Sequence, residues 1–282
     1  MAYKTLTTIV TSDDDNARAA VDAAGRVALA LDAHLDVLAL GVDRTQAGYS
    51  YIGGGAVMLQ VAMEKAEADA RTAEAAARAT LSSAPVDLRW SLESAVAQVG
   101  ALGELVALRA RFADLVVLPR PYGKGRGVEA EAVIESALFE GQAPVLVLPE
   151  SGAMTKLPER VVIGWNQSRE AMVAVRRALP LLQAAQLVNI AVIDPPQHGP
   201  ERSDPGGMLC QMLVRHGVKA EVSVLARSMP RISDVLSRHV RDMNADLLVM
   251  GAYGHSRFRE AILGGATRNM LEMAEVPVLM AH

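Results

Sequence analysis

The residues best suited to chemistry in this chain lie in the run MGAYGHSRFREAILGGATRNML, Met250–Leu271. Gly251 and Gly254 follow the apolar stretch ADLLVM, which reads as a buried strand. Glycines there let a ligand approach the backbone closely and permit unusual φ/ψ values. Ser256 is placed to cap a helix expected over Arg257–Ala274, and N–H groups at a helix start attract anions. Gly264 and Gly265 then interrupt that helical pattern, at roughly 1 kcal/mol each relative to alanine. Two explanations stand open. The segment Gly264, Gly265, Ala266 and Thr267 presents a second set of amides to a phosphate chain, with the Thr267 hydroxyl as donor, or the glycines allow close helix–sheet packing. His255 would stand beside any phosphate and titrate near neutral pH, or else face solvent as an ordinary loop residue.

Other patterns carry less. Gly123, Gly125 and Gly127 nearly form a dinucleotide fingerprint, but Val128 replaces its last glycine and the run follows a fourth strand, not a first. The pair Gly123-Lys124 lacks the Ser/Thr of a P-loop. The acids Asp13–Asp15 suit a helix start better than a metal. The segment Tyr49–Gly55 reads as a connector or as a lid over the first half's cleft. Six histidines are scattered without metal-ligand spacing, and Cys210 is the single cysteine, so disulfide and cysteine-zinc chemistry are not expected. No nucleophile elbow and no paired acid and base emerge, so no metal site and no catalytic residue is expected.

The elements that must position the glycine run come in two copies. ADLVVL (Ala113–Leu118) matches ADLLVM (Ala245–Met250), and APVLVLP (Ala143–Pro149) matches VPVLMAH (Val276–His282). IVTSDDDNARAA in the first half has its counterpart in VIGWNQSREAMV in the second. Such ordered self-similarity marks a tandem duplication, with domains 1–150 and 159–282 and a linker near Glu150–Pro158. In the second half strands are expected near Arg160–Trp165, Leu187–Ile193, Ala220–Ala226, Leu247–Met250 and Pro277–Met280. Helices fall near Arg169–Ala184, Pro205–His216, Ile232–Met243 and Arg257–Ala274. In the first half strands are expected near Leu6–Thr11, Leu35–Val42, Val86–Leu92, Asp114–Leu118 and Val145–Leu148, with a long helix near Val57–Leu81. Continuous apolar strands alternating with helices imply two doubly wound α/β domains of about five parallel strands each. Ligands bind such sheets beyond the carboxyl ends of the strands, here at Gly164–Ser168, Val192–Gln197 and Gly251–Ser256.

The spacing Gly251-x2-Gly254-x9-Gly264 resembles that of the universal stress protein family, and the likeness extends through VVIGWNQSREA, AVIDPP and ADLLVMGAYGHS. It implies a five-stranded parallel sheet of order 3-2-1-4-5 in each half and an ATP or AMP site in the second. By that resemblance Asn166 stands where binding members hold an aspartate near adenine, and Val192 flanks the base. Ribose and phosphates would lie along Gly251, Gly254, His255 and Ser256 and then Gly264 to Thr267, with Gly265 where a Ser/Thr is usual. Gly164, Trp165 and Ser168 complete this set, Trp165 either stacking on the base or closing the core. The first half departs from the pattern: Pro119 and Pro121 offer no N–H to a phosphate, although Asp13 keeps the acid that Asn166 lacks. A phosphate at Lys124–Gly127 stays open, and otherwise the first domain is a packing partner.

A net charge of −4 gives no case for nucleic acid, and the most apolar run, VALALDAHLDVLALGV, is too charged to span a membrane. The N-terminus does not read as a signal peptide. The expectation is a cytoplasmic stress-response protein binding an adenine nucleotide as a regulatory or structural ligand, not an enzyme beyond very slow ATP hydrolysis, with Mg²⁺ left open. The alternatives are a nucleotide-free, dimeric interaction scaffold with an unidentified protein partner, and an enzyme acting on a small substrate. Universal stress proteins pair through the last strand, and both copies here end in an apolar strand, so the resemblance implies that the halves pair as an intrachain pseudo-dimer, and whole chains are expected to form a homodimer.

Overall fold

The computed structural model describes residues 2–11, 14–45, 55–123, 128–150, 154–195, 203–252 and 265–282. The chain forms two compact units, one of Tyr3–Leu118 with Lys124–Ala143 and one of Pro144–His282 with Met1–Ala2 and Pro119–Gly123.

The first unit holds β1 (Thr5–Thr11), α1 (Asp14–Ala30), β2 (His34–Asp43), α2 (Gly55–Ser82), β3 (Arg89–Gln98), α3 (Leu102–Ala110), β4 (Leu115–Pro119) and α4 (Val128–Phe139). Its strands run in the order β3-β2-β1-β4, all parallel. Leu6, Leu35, Leu40 and Leu115 are fully buried, each such side chain contributing roughly 1.5–3 kcal/mol. β3 begins three residues later than the apolar run at Val86 predicts. Val86 is 97% exposed; the register with β2, from His34↔Arg89 to Asp43↔Gln98, sets where this edge strand lies.

The second unit holds β5 (Val145–Leu148), β6 (Arg160–Trp165), α5 (Arg169–Ala184), β7 (Leu187–Ile193), α6 (Gly207–Arg215), β8 (Ala220–Leu225), α7 (Ile232–Asp242), β9 (Leu247–Gly251), α8 (Ala266–Met273) and β10 (Val278–Ala281). Its order is β5-β10-β9-β6-β7-β8. The last five strands form the 3-2-1-4-5 arrangement that the family resemblance implies, parallel throughout. β5, the fifth strand of the first repeat, groups with this unit and pairs antiparallel with β10, Val147 opposite Val278 and Val145 opposite Met280. Every residue of both short strands is buried. An apolar strand with both faces covered still needs a hydrogen-bonded neighbour on each edge, and each repeat's last strand supplies one for the other. Among the described residues no helix is long and apolar enough to cross a membrane.

One buried polar network lies inside the second unit. Asn189, at the middle of β7 and 1% exposed, donates both amide hydrogens, to Glu221 Oε1 at 2.9 Å and Ser223 Oγ at 2.8 Å. Its Oδ1 is therefore the acceptor for His239 Nε2 at 2.8 Å, which fixes the proton on that ring nitrogen. Burial lowers the affinity of the imidazole for a second proton, against the pull of Asp242 and Glu221. The neutral ring is thus the folded form. As pH falls below the ordinary histidine value of 6.5, the unfolded chain takes up this proton first, and stability declines from there.

Two outcomes follow from this packing. The urea midpoint should drop between pH 7.5 and pH 5.5 more in the native chain than in His239→Gln; equal drops would remove His239 as the cause. Gly41→Val should cost at least about 3 kcal/mol in the same assay, because a Cβ at Gly41 would sit 1.9 Å from the Ala66 carbonyl oxygen of α2.

Candidate functional site

In the second unit the strand order reverses between β6 and β9, so the crevice opens beyond their carboxyl ends. The two strands run side by side up to Gly164↔Met250. The loop after β6 turns tightly: Asn166 Oδ1 accepts the Ser168 N–H at 3.1 Å, and Gln167 takes a left-handed φ of 62°. Ser168 then caps α5, its Oγ accepting the Ala171 N–H at 3.1 Å. This is an Asx turn leading into an N-cap, the local preference of Asn and Ser.

Gly251 ends β9 against that same helix start. A Cβ on Gly251 would meet the Ala171 backbone nitrogen at 2.5 Å, so only glycine lets β9 pass under the first turn of α5. On the opposite face of the sheet a Cβ at Gly164 would stand 3.2 Å from Leu236 Cδ2 of α7, a contact that a small shift could absorb. Next to Gly251, Ala252 donates its N–H to the Ala281 carbonyl at 2.9 Å, and its own carbonyl accepts from His282 Nδ1 at 2.9 Å. His282 at the rim is a contact that sequence reasoning missed, since a histidine after an apolar strand carries no motif.

The second helix start belongs to α8. Gly265 is its N-cap, with φ −57° and ψ 160° and no side-chain cap bond. The helix Ala266–Met273 begins directly after it. The expected span Arg257–Ala274 is described only from Ala266, and Gly254, His255, Ser256 and Gly264 lie outside the described residues. Gly265 and Ala266 are half-buried, whereas Thr267 is 3% exposed and sits within the core side of α8. Asn269 reaches from the same helix to Ser233 Oγ of α7 at 3.3 Å.

Trp165 and Val192 are register partners at the ends of β6 and β7. Both are buried, Trp165 at 7% and Val192 at 3% exposure. Val192 lies under the start of α6, its Cγ2 being 3.2 Å from where a Gly206 Cβ would stand. The indole N–H of Trp165 is buried with no acceptor among the described residues, and such a donor costs about 1–3 kcal/mol until one is supplied. The structure thus brings Gly164, Trp165, Asn166, Ser168 and Gly251 to one end of neighbouring strands, with Gly265 and Ala266 opening the helix that follows β9. It packs Val192 and Thr267 inward. Asp13, Tyr49 and Lys124–Gly127 also fall outside the described residues or on their border. Among the described residues no group of histidine, cysteine and carboxylate side chains could hold a metal ion.

One stability outcome follows directly. Gly251→Ala should destabilise the chain by about 1–3 kcal/mol, since backbone rather than a side-chain tip blocks the new methyl. A urea midpoint unchanged from the native chain would contradict the close approach of β9 and α5.

Comparison with known proteins converges on one family. The universal stress protein family model matches residues 158–282. A universal stress protein of Synechocystis is 36% identical over 69 residues, 24% of this chain and 23% of that one, so the chain spans under a quarter of that curated relative. A universal stress protein from Archaeoglobus fulgidus, solved by crystallography, covers 99% of this chain and 96% of its own at 15% identity and a TM-score of 0.63; this likeness shows the fold. An Arabidopsis thaliana member of the family, solved with AMP bound, covers 44% of this chain and 91% of its own at 21% identity and a TM-score of 0.31. That likeness is too slight to carry its ligand across.

Proposed function

We propose that the second unit, whose residues 158–282 match the universal stress protein family model, works as a member of that family and binds an adenine nucleotide, ATP or AMP, at the ends of β6 and β9. The nucleotide acts as a regulatory or structural ligand in a cytoplasmic, dimeric stress-response protein and is not turned over at a useful rate. The observation that carries this reading is the topological switch point between β6 and β9, where the capped start of α5 lies against the Gly251 end of β9. The start of α5 brings partial positive charge to that crevice, and the Gly251 backbone lies against it. The glycine spacing from Gly251 through Gly254 to Gly264 supplies the backbone for phosphates. Trp165 and Asn166 line the base end.

A second reading, an interaction scaffold without nucleotide, draws on particular observations too. The Asn166 carbonyl is engaged by the Ser168 N–H, and Val192 and Thr267 are buried. A base-binding loop of this kind has to give up contacts before it takes a ligand.

Mass spectrometry of small molecules released from the denatured, purified chain distinguishes the two. An adenine nucleotide should appear, and Gly254→Val should remove it. Nothing released, together with flat calorimetry against ATP and AMP, would leave the scaffold. If nucleotide binds, Asn166→Asp should raise affinity by roughly tenfold through one charge-assisted hydrogen bond. Gly265→Ser should fold at least as well as the native chain, because φ at that N-cap suits any residue and serine is a better cap than glycine.

A further inference from the structure

Helix α2 is longer than the sheet it packs on. Its inner stripe is alanine at helical spacing, Ala66, Ala70, Ala73 and Ala77, each at most 3% exposed. At Ala66 the helix comes so close to β2 that a Cβ on Gly41 would stand 1.9 Å from the Ala66 carbonyl oxygen. Gly41 is two residues short of Asp43, the last residue of β2. The crossover carries the helix back antiparallel to the strand, so toward its own start α2 runs out past that strand end. None of residues 57–65 is buried.

This overhang is apolar on every side. Val57, Met58 and Val61 stand 58–69% exposed, and Leu59 and Met63 38–39%. At about 100° per residue, Leu59 and Met63 continue the alanine stripe, while Val57, Met58 and Val61 lie on the side turned away from it. The first charged side chains of the helix, Glu64 and Lys65, come just before it reaches the sheet. A surface helix keeps its apolar residues to one stripe; an apolar circumference belongs to a helix that is surrounded.

The size of the tip decides what surrounds it. Seven helical residues make a cylinder roughly 10 Å long and about 10 Å across, on the order of 300 Å² around its side. A stable protein complex takes roughly 800 Å² from each partner. A second copy or a flat partner surface would also touch one side and leave the other in water. A lipid surface surrounds what enters it and sets no minimum area. Its headgroup–acyl boundary takes apolar side chains to a depth of about 5–10 Å, the length of this tip. At that depth headgroup oxygens and water still accept from the N–H groups of the helix start.

We infer that the start of α2 is a lipid-contacting tip that seats the first unit on a bilayer surface, residues 57–63 entering the headgroup–acyl boundary while Glu64 and Lys65 stay in water. Those two charges cancel at the rim, so the contact depends on neither anionic lipid nor salt. This goes beyond the nucleotide reading of the second unit and does not rest on it.

The test is flotation of the full chain with phosphatidylcholine vesicles. The native chain should rise with them, equally at low and high salt and with or without a share of phosphatidylglycerol. Met58→Glu combined with Val61→Glu should weaken partitioning at least roughly tenfold, the worth of one buried valine side chain. Both positions face solvent, so this variant should keep the native urea midpoint. Should it fail to fold by circular dichroism, Met58→Gln with Val61→Gln is read the same way. A native chain that stays behind would overturn the inference, as would flotation that the folded variant retains or that needs phosphatidylglycerol and is lost in salt. In sedimentation without vesicles the two chains should have the same mass. A native dimer that the variant dissolves would make the tip an interface between copies and overturn the inference as well.

Discussion

A parallel strand cannot follow its neighbour through a tight turn, and most of this molecule follows from that constraint. Each return to the same end of the sheet needs a crossover, and here each crossover is a helix. The crossovers bury both faces of the sheet, which is why Leu6, Leu35, Leu115, Ile163 and Ile190 can all lie at 0–1% exposure in short apolar runs without polar alternation. They also place the carboxyl ends of the five parallel strands β6 to β10 on one side. Where β6 meets β9, the following helices leave toward opposite faces and the crevice opens by topology, before any side chain is chosen.

Side chains then decide how far such a crevice can be used. At β9 the backbone is brought under α5 by the missing Cβ of Gly251, with Ala171 nitrogen 2.5 Å from where that atom would be. The Asx turn at Asn166 and the cap at Ser168 start α5 at the same level. The polar network around Asn189 does a different job two strands away. It satisfies a buried amide in full and ties β7, β8 and α7 together, giving the layer opposite the crevice a fixed arrangement at the cost of sensitivity to protonation of His239.

Much of this was legible in the sequence because it is written in local patterns. The repeated ADLVVL and ADLLVM runs mark the two buried fourth strands, and periodicity located all ten strands to within a few residues. Long-range partners were not legible. Nothing in Val192 says that the start of α6 will cover it, and nothing in Thr267 says that it will face the core, since burial of a strand-end or helix-start residue is decided by what packs on it. β3 was placed too early because apolar content near Val86 was read without its partner, whereas pairing with β2 sets the register. Arg44 and Glu129 stand 85 residues apart and look like ordinary surface charges; only the folded chain joins them in an ion pair.

The two halves of the duplication differ in the groups at their helix starts. In the second unit Asn166, Ser168 and Gly251 surround the start of α5 with neutral groups, and Glu170 in its first turn supplies the negative charge that a helix start favours. In the first unit the start of α4 carries Glu129, and Arg44 pairs with it. Only the carboxylate of this pair is buried, Arg44 being half exposed, so the pair adds little to stability, yet removing Arg44 alone would leave the Glu129 carboxylate buried without its partner.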